Sequence, residues 1–337
     1  MIERHFGESA PLSLGVEEEL MILDARTLEP VAGVDLLLRG AGGRDLPGML
    51  KTELHASVVE LTTPVCESVD EAIASLRALR GATAQIAAAN GLAIAAAGSH
   101  PTAPLESLPV VQEERYLSMI REIGRAARRQ GVNGLHVHVG VGSADACWER
   151  LESVLAWLPV VLAVSVNSPF VDGEESGMLS NRAPILAELP RAGAPPAFGS
   201  YEVWERWIER LVALGVMADY TRVWWDVRPH PKLGTLEIRI ADQATSLERT
   251  ALLVRLVRDL VRDAPLGHAD RGDYAQNRWA AASAGLDAVL LHPDGGRTVT
   301  ARELARDLLG AEPPEPEAFA QLRAVDVAAD LVARTLG

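Results

Sequence analysis

Five stretches of the chain alternate apolar and polar positions with period two, as strands buried on one side do: Leu12–Leu23, Ser57–Thr62, Gly134–Val141, Trp224–Val227 and Thr235–Ile240. Between them, apolar positions recur at helical spacing. The run SVDEAIASLRALRGATAQIAAANG opens with Ser68 and Glu71 as a capping box and stops at Gly91. A second helix is predicted from about Val111 to Gln130, ending at Gly131. A third opens near Ser143 and carries the apolar run Leu151 to Val166. Others fit Tyr201 to Leu214 and Ser246 to Arg262. Thr300 and Glu303 form a further capping box, and a helix follows EPPEPE. Strands and helices do not alternate as in a doubly wound fold or an eightfold barrel, and no linker or internal repeat divides the chain. The pattern predicts one α+β domain over residues 1–337 on a mainly antiparallel sheet of about six strands.

Successive strand residues point to opposite sides, so parity sorts the ionisable groups. In LGVEEELMIL, Glu17 and Glu19 share a side with Met21, opposite Val16, Leu20 and Ile22. In NGLHVHVGV, His136 and His138 oppose Leu135, Val137 and Val139. Glu237 and Arg239 oppose Leu236, Ile238 and Ile240, and Val58, Glu60 and Thr62 lie together. Glu53 has the wrong parity for one unbroken strand with Glu60, so a turn or bulge is expected near His55. Glu18 falls among the aliphatics. It is expected near a strand end or against an arginine, with no functional part.

A sheet packed on helices through its aliphatic side would present the other side as a floor of glutamates, histidines and an arginine. Two like charges ~4 Å apart repel by about 4 kcal/mol at an effective dielectric near 20. A floor carrying Glu17, Glu19, Glu53, Glu60 and Glu237 must therefore hold protons or cations. Oxygen ligands with one imidazole favour Mg2+ or Mn2+ over zinc, and magnesium readily takes phosphate as co-ligand, which points to a nucleotide. Each residue alone has a plainer reading: a single strand glutamate is usually solvated, and His-x-His among valines also occurs in metal hydrolases.

The net charge of −14 argues against an electrostatic grip on nucleic acid or an anionic membrane. It also means that a phosphorylated substrate needs local cations. Cys66 and Cys147 form no CxxC pair and read as buried thiols in a reducing compartment. The N-terminus lacks the apolar core of a signal peptide, and the run Val154 to Val166 is too short to span a bilayer, which needs ~20 residues. A cytoplasmic protein is expected.

With these residues placed, the chain resembles the glutamate–cysteine ligase type 2 family of carboxylate–amine ligases. The resemblance is carried, in order, by LGVEEELMILDARTLEPV, ELHASVVELTTPVC, NGLHVHVGV, the long VNSPFVDGEESGMLSNRAP segment, WWDVRPHPKLGTLEIRIAD and NRWAAASAGLDAVL. It implies a glutamine synthetase-like fold, in which a curved antiparallel sheet forms a cradle with helices behind it. It also implies ATP held through two or three Mg2+ ions (Mn2+ as substitute), in keeping with the absence of a GxxxxGK[ST] loop. Matched residue by residue, Glu17, Glu19, Glu53, Glu60, His138 and Glu237 would ligate metal. Arg239 and Arg182 would face the transferred phosphate or the substrate carboxylate. Lys232 would contact the nucleotide, together with Arg239 and Glu19.

The implied reaction joins a small carboxylate, glutamate or another amino acid, to cysteine or another amine through an acyl phosphate. Family analogy suggests a homodimer. One departure is visible: relatives usually carry an arginine, often followed by an aromatic or histidine, where this chain has Ser283 and Ala284. Altered specificity is the reading this favours. Two rivals remain: a metal-dependent hydrolase using His136 and His138, and a weakly active nucleotide-binding member with a regulatory role.

Overall fold

The computed structural model describes residues 2–317 and 324–336. Its centre is a seven-stranded antiparallel sheet. The strands are β1 (Leu14–Asp24), β2 (Met49–Thr52), β3 (Val58–Thr62), β4 (Leu92–Ala95), β5 (Leu135–Gly140), β6 (Val227–His230) and β7 (Thr235–Ile238). The order is β6-β7-β5-β1-β3-β2, and β4 pairs with the far end of β1. The eleven residues of β1 are long enough to serve three neighbours. Leu14–Glu18 pair with β5, Glu17–Met21 with β3, and Met21–Asp24 with β4.

One face of the sheet is aliphatic and closed. Leu14, Val16, Leu20 and Ile22 of β1, Val59 and Leu61 of β3, Leu135, Val137 and Val139 of β5, and Leu236 and Ile238 of β7 are all buried. Behind them pack apolar faces of the helices Val69–Ala89, Ala144–Leu155, Leu158–Ser165 and Leu247–Asp263. This burial drives the fold and leaves the opposite face free to carry charge.

Glu18 lies in mid-strand on the buried side, where an unpaired carboxylate would be very costly. Arg80 meets it with two parallel bonds, Nε to Oε2 at 2.7 Å and Nη2 to Oε1 at 2.6 Å. Thr250 Oγ1 and Gln243 Nε2 also donate to it. The remaining Arg80 donors reach the carbonyls of Ala244, Thr245 and Thr335. One buried pair thus ties β1 to the helix behind it, to the segment after β7 and to the C-terminal helix Ala324–Arg334. The arginine partner expected for Glu18 is there; the strand end is not.

Several predicted boundaries move. The helix expected over Val111 to Gln130 is two, Glu114–Ile123 and Arg125–Arg128, because Gly124 between them takes φ 71°. The run from Ser143 to Val166 also divides, into Ala144–Leu155 and Leu158–Ser165, with Pro159 in the first turn of the second. The strand expected over Trp224–Val227 splits. Trp224–Trp225 pair in parallel with Ala192–Gly193, and only Val227 joins the main sheet. At Ser68 half of the capping box forms: Ser68 Oγ accepts from Glu71 N, while the Glu71 carboxylate accepts from Glu67 N. The Thr300–Glu303 box is complete. Cys66 and Cys147 are buried free thiols, and among the described residues no helix is long and apolar enough to cross a membrane.

Arg80→Met leaves the Glu18 carboxylate buried without its cation. It is expected to cost about 3–5 kcal/mol, read from the midpoint of chemical unfolding, and Glu18→Leu in the same chain is expected to recover part of that loss. Full stability of Arg80→Met alone would contradict the assignment.

Candidate active site

Strand register brings the predicted acids together. Glu17 sits opposite His136, Glu19 opposite Glu60, and Glu237 opposite both His138 and Arg228. Glu53 follows β2, and the chain turns back through His55 to start β3 at Val58. This is the reversal that its parity required. Antiparallel neighbours on one face lie ~5 Å apart, so these side chains form one surface.

Within it, Glu17 links the two histidines, with Oε2 3.3 Å from His136 Nδ1 and Oε1 3.7 Å from His138 Nε2. Burial alone would raise the Glu17 carboxyl, but the His136 and His138 rings beside it hold it well below the usual range. Glu237 is buried too, yet it stays ionised because Arg228 grips it with two bonds and Arg239 Nη1 touches Oε1.

The other three acids have less compensation. Burial and the nearby Glu53 charge push Glu19 up to about 8. Burial, Glu17 and Glu53 push Glu60 to about 7, although Lys51 Nζ lies 3.1 Å from it. Burial raises Glu53 as well. Carboxylates raised this far are groups short of positive charge.

The donor chemistry fits divalent cations. Glu17, His138 and Glu237 each offer a ligand atom within 4.8 Å of the other two. His138 Nδ1 engages Thr235 Oγ1 at 3.0 Å, which leaves the buried Nε2 without a hydrogen-bond partner on the side of Glu17. Glu19, Glu53 and Glu60 form an adjacent oxygen-rich group.

Arg239 follows β7 and projects from the same face, with its Nε buried and unpartnered. Arg182 arrives from the short helix Arg182–Leu186. It donates to the carbonyls of Ile240 (3.1 Å) and Arg239 (2.9 Å). Its guanidinium lies flat on Gly134, where a Cβ would sit 2.2 Å from Nη2. Gly134 N in turn donates to Glu19 Oε2 at 2.5 Å.

The pattern that defines Glutamate-cysteine ligase family 2 matches residues 13–331. The chain belongs to that family. A Rubrobacter xylanophilus protein provisionally named glutamate–cysteine ligase 2-3 is 40% identical over 311 residues, 92% of this chain and 85% of its own. A Herpetosiphon aurantiacus protein provisionally named glutamate–cysteine ligase 2 is 35% identical over 306 residues, 88% and 79%. Among solved structures, the Francisella tularensis glutamate–cysteine ligase in complex with AMP superposes with TM-score 0.60 at 16% identity, covering 97% of this chain and 84% of that one. The bifunctional glutathione synthetase of Pasteurella multocida gives 0.61 at 16% identity, over 96% of this chain and about half (48%) of the longer one. These likenesses confirm the fold expected from the family resemblance. Membership makes the chain a carboxylate–amine ligase.

Of the predicted site residues, Glu17, Glu19, Glu53, Glu60, His138, Glu237, Arg239 and Arg182 converge. Lys232 does not. It is exposed on the turn Pro231–Leu233 and absent from the described residues that line the hollows beside the acids. The lysine near the acids is Lys51. Ser283 and Ala284 close the helix Arg271–Ala284 and likewise line none of these hollows. His136 does not favour the hydrolase reading, because it bonds to Glu17 and stays outside the group of Glu17, His138 and Glu237 whose ligand atoms gather together. Sequence reasoning missed Arg228 and Lys51, although the parity of VRPH and MLKT puts both on the charged face.

Glu19 and Glu60 bind protons more tightly folded than unfolded, so they make the cation-free protein lose stability as pH rises from about 5 to about 8. His138, raised in the fold, acts in the same direction. The contributions of Glu17 and Glu237 are lost only below the ordinary carboxylate range. In chelator, thermal melts are expected to fall from about pH 6.5 to about 8; below that, His136, His55 and His230, held down by burial, act in the opposite direction. Added Mg2+ or Mn2+ should raise the melting temperature strongly near pH 8 and weakly near pH 5. An equal cation effect at both pH values would count against the site.

Proposed function

We propose that the chain is an ATP- and Mg2+-dependent ligase. It would activate the carboxylate of glutamate or another amino acid as an acyl phosphate and pass the acyl group to cysteine or another amine. The observation that carries this reading is the convergence of Glu17, His138 and Glu237 beside the crowded Glu19, Glu53 and Glu60, with Arg239 and Arg182 adjoining.

In such a reaction a carboxylate oxygen attacks the γ-phosphorus and ADP departs. The amine then attacks the acyl carbon, phosphate leaves and the nitrogen loses a proton. Bound Mg2+ would neutralise phosphate charge on this face. Glu17, His138 and Glu237 would hold one ion, and Glu19, Glu53 and Glu60 would supply oxygens for others. The chain's own work is positioning and charge complementarity. Arg239, anchored by Glu237, presents a planar cation with a free Nε to the oxyanion being transferred. Arg182, held by two backbone carbonyls, suits a substrate carboxylate, a bidentate task that lysine cannot copy.

Nucleotide and substrates have separate room. An apolar slot of about 770 Å3 opens beside Glu17 and His138, with Met49, Pro64, Val65 and Leu233 along it and Lys51 at its edge. Its character suits the faces of a purine. A polar hollow of about 1080 Å3 lies over the acids on the other side and includes Arg228 and Arg239. Nothing in the placement of Ser283 and Ala284 favours the regulatory reading.

ADP release should require Mg2+, an acid and an amine together. Arg239→Met is expected to lower kcat roughly 100- to 1,000-fold while the thermal melt shows a folded chain, since Arg228 still neutralises Glu237. Undiminished ADP release by that variant, or turnover without ATP, would refute the assignment.

A further inference from the structure

Behind the polar hollow lies an inner chamber partly open to it. The two spaces share Glu19, Glu53, His136 and Arg239, so the chamber opens onto the acids and the transfer arginine. Its walls differ in kind from the acid floor. Leu54, Leu186 and Leu189, which the outer hollow does not share, and Met119 and Trp224, which line both spaces, come from four segments, are all buried, and form an apolar patch among polar side chains.

Besides Asn133, three polar side chains that the outer hollow does not share lie beside that patch. Arg182 is the charged side chain of the chamber that the outer hollow does not share. It is 3% exposed, and among the described residues it meets carbonyls and no carboxylate within ion-pair reach. Glu19 and Asp242 act on it only from beyond ion-pair reach, so a direct carboxylate partner still has a place on it. Gln130 is pinned by Nε2, which donates to the carbonyls of Ala126 and Ile185, leaving Oε1 buried without a partner. His55, with the carbonyls of Leu108 and Pro109 beside it, completes a hydrogen bond at neither ring nitrogen. Buried polar groups without partners are rare in a finished interior, and here they face one space.

Resting on the ligase reading, we infer that this chamber receives the acceptor substrate, and that the acceptor is an α-amino acid with an apolar side chain larger than that of cysteine. Its carboxylate pairs with Arg182, its side chain packs on the leucines, Met119 and Trp224, and its amine points to the mouth. The acyl phosphate forms there, beside Arg239. A CH2–SH group extends only two heavy atoms from Cα and covers little of that patch, so most of the apolar contact is left unmade. A charged side chain would be stripped of water against it. The nucleotide is accounted for by the slot beyond Glu17 and His138, so the chamber is free for the amine.

The test offers the whole enzyme Mg·ATP with each of the twenty amino acids as acid against a set of acceptors: leucine, phenylalanine, cysteine, lysine, aspartate and isopentylamine, which is leucine without its carboxylate. ADP release is expected with kcat/KM for leucine or phenylalanine at least about tenfold above cysteine, lysine and aspartate. Isopentylamine should fall roughly 100-fold below leucine. Leu189→Ala, checked for folding by its melt, should raise the ratio of phenylalanine to leucine about fivefold or more as the wall recedes. ADP release that favours cysteine or a charged acceptor, that ignores loss of the carboxylate, or whose side-chain preference survives Leu189→Ala overturns this inference and leaves the ligase standing. ADP from no pair at all overturns both.

Discussion

Carboxylates brought within a few ångströms of one another on a buried face repel strongly, and the rest of this molecule is arranged around that repulsion. The aliphatic face behind the sheet makes it tolerable. Leu14, Val16, Leu20 and Ile22 anchor β1 so firmly against the helices that Glu17 and Glu19 have no freedom to turn away. The charges are then matched unequally. Glu237 has two arginines and Glu17 two histidines in contact, whereas Glu60 has Lys51, and Glu19 and Glu53 feel Arg182, Arg239 and Arg115 only from beyond ion-pair reach. A surface compensated only in part calls for further positive charge from outside the chain, which the proposed divalent cations would supply.

Three adjacent glutamates of β1 show how one residue type serves opposite ends. Glu18 points into the apolar core and is closed off by Arg80, Thr250 and Gln243, with no donor or acceptor left for a ligand. Glu17 and Glu19, one residue to either side, face the hollow. The difference is strand parity alone. Small residues set the other close approach: Gly134 leaves room for the Arg182 guanidinium against the backbone, so arginine and glutamate share the same turn of chain.

Much of the charged face was legible because period-two alternation is a local property. Glu17, Glu19, Glu60, His136, His138, Glu237 and Arg239 were each placed by counting along their own strand. What crosses between distant segments was not. Nothing local pairs Arg80 with Glu18, orders β7 beside β5, or brings Arg182 under Gly134. Lys232 rested on a motif match alone, which carries no direction for an exposed turn such as the one after β6. Gly124 and Pro159 broke two apolar runs that periodicity joined, since the pattern continues across a break in the backbone. The inner chamber lay beyond reach altogether, because its walls meet only in the folded chain.

Anomalous scattering from crystals grown with Mn2+ and a non-hydrolysable ATP analogue tests the central claim most directly. A Mn2+ peak coordinated by Glu17, His138 and Glu237, with analogue phosphate oxygens completing its shell, is the result this account predicts. Analogue bound elsewhere, with no manganese on the charged face of the sheet, would contradict it.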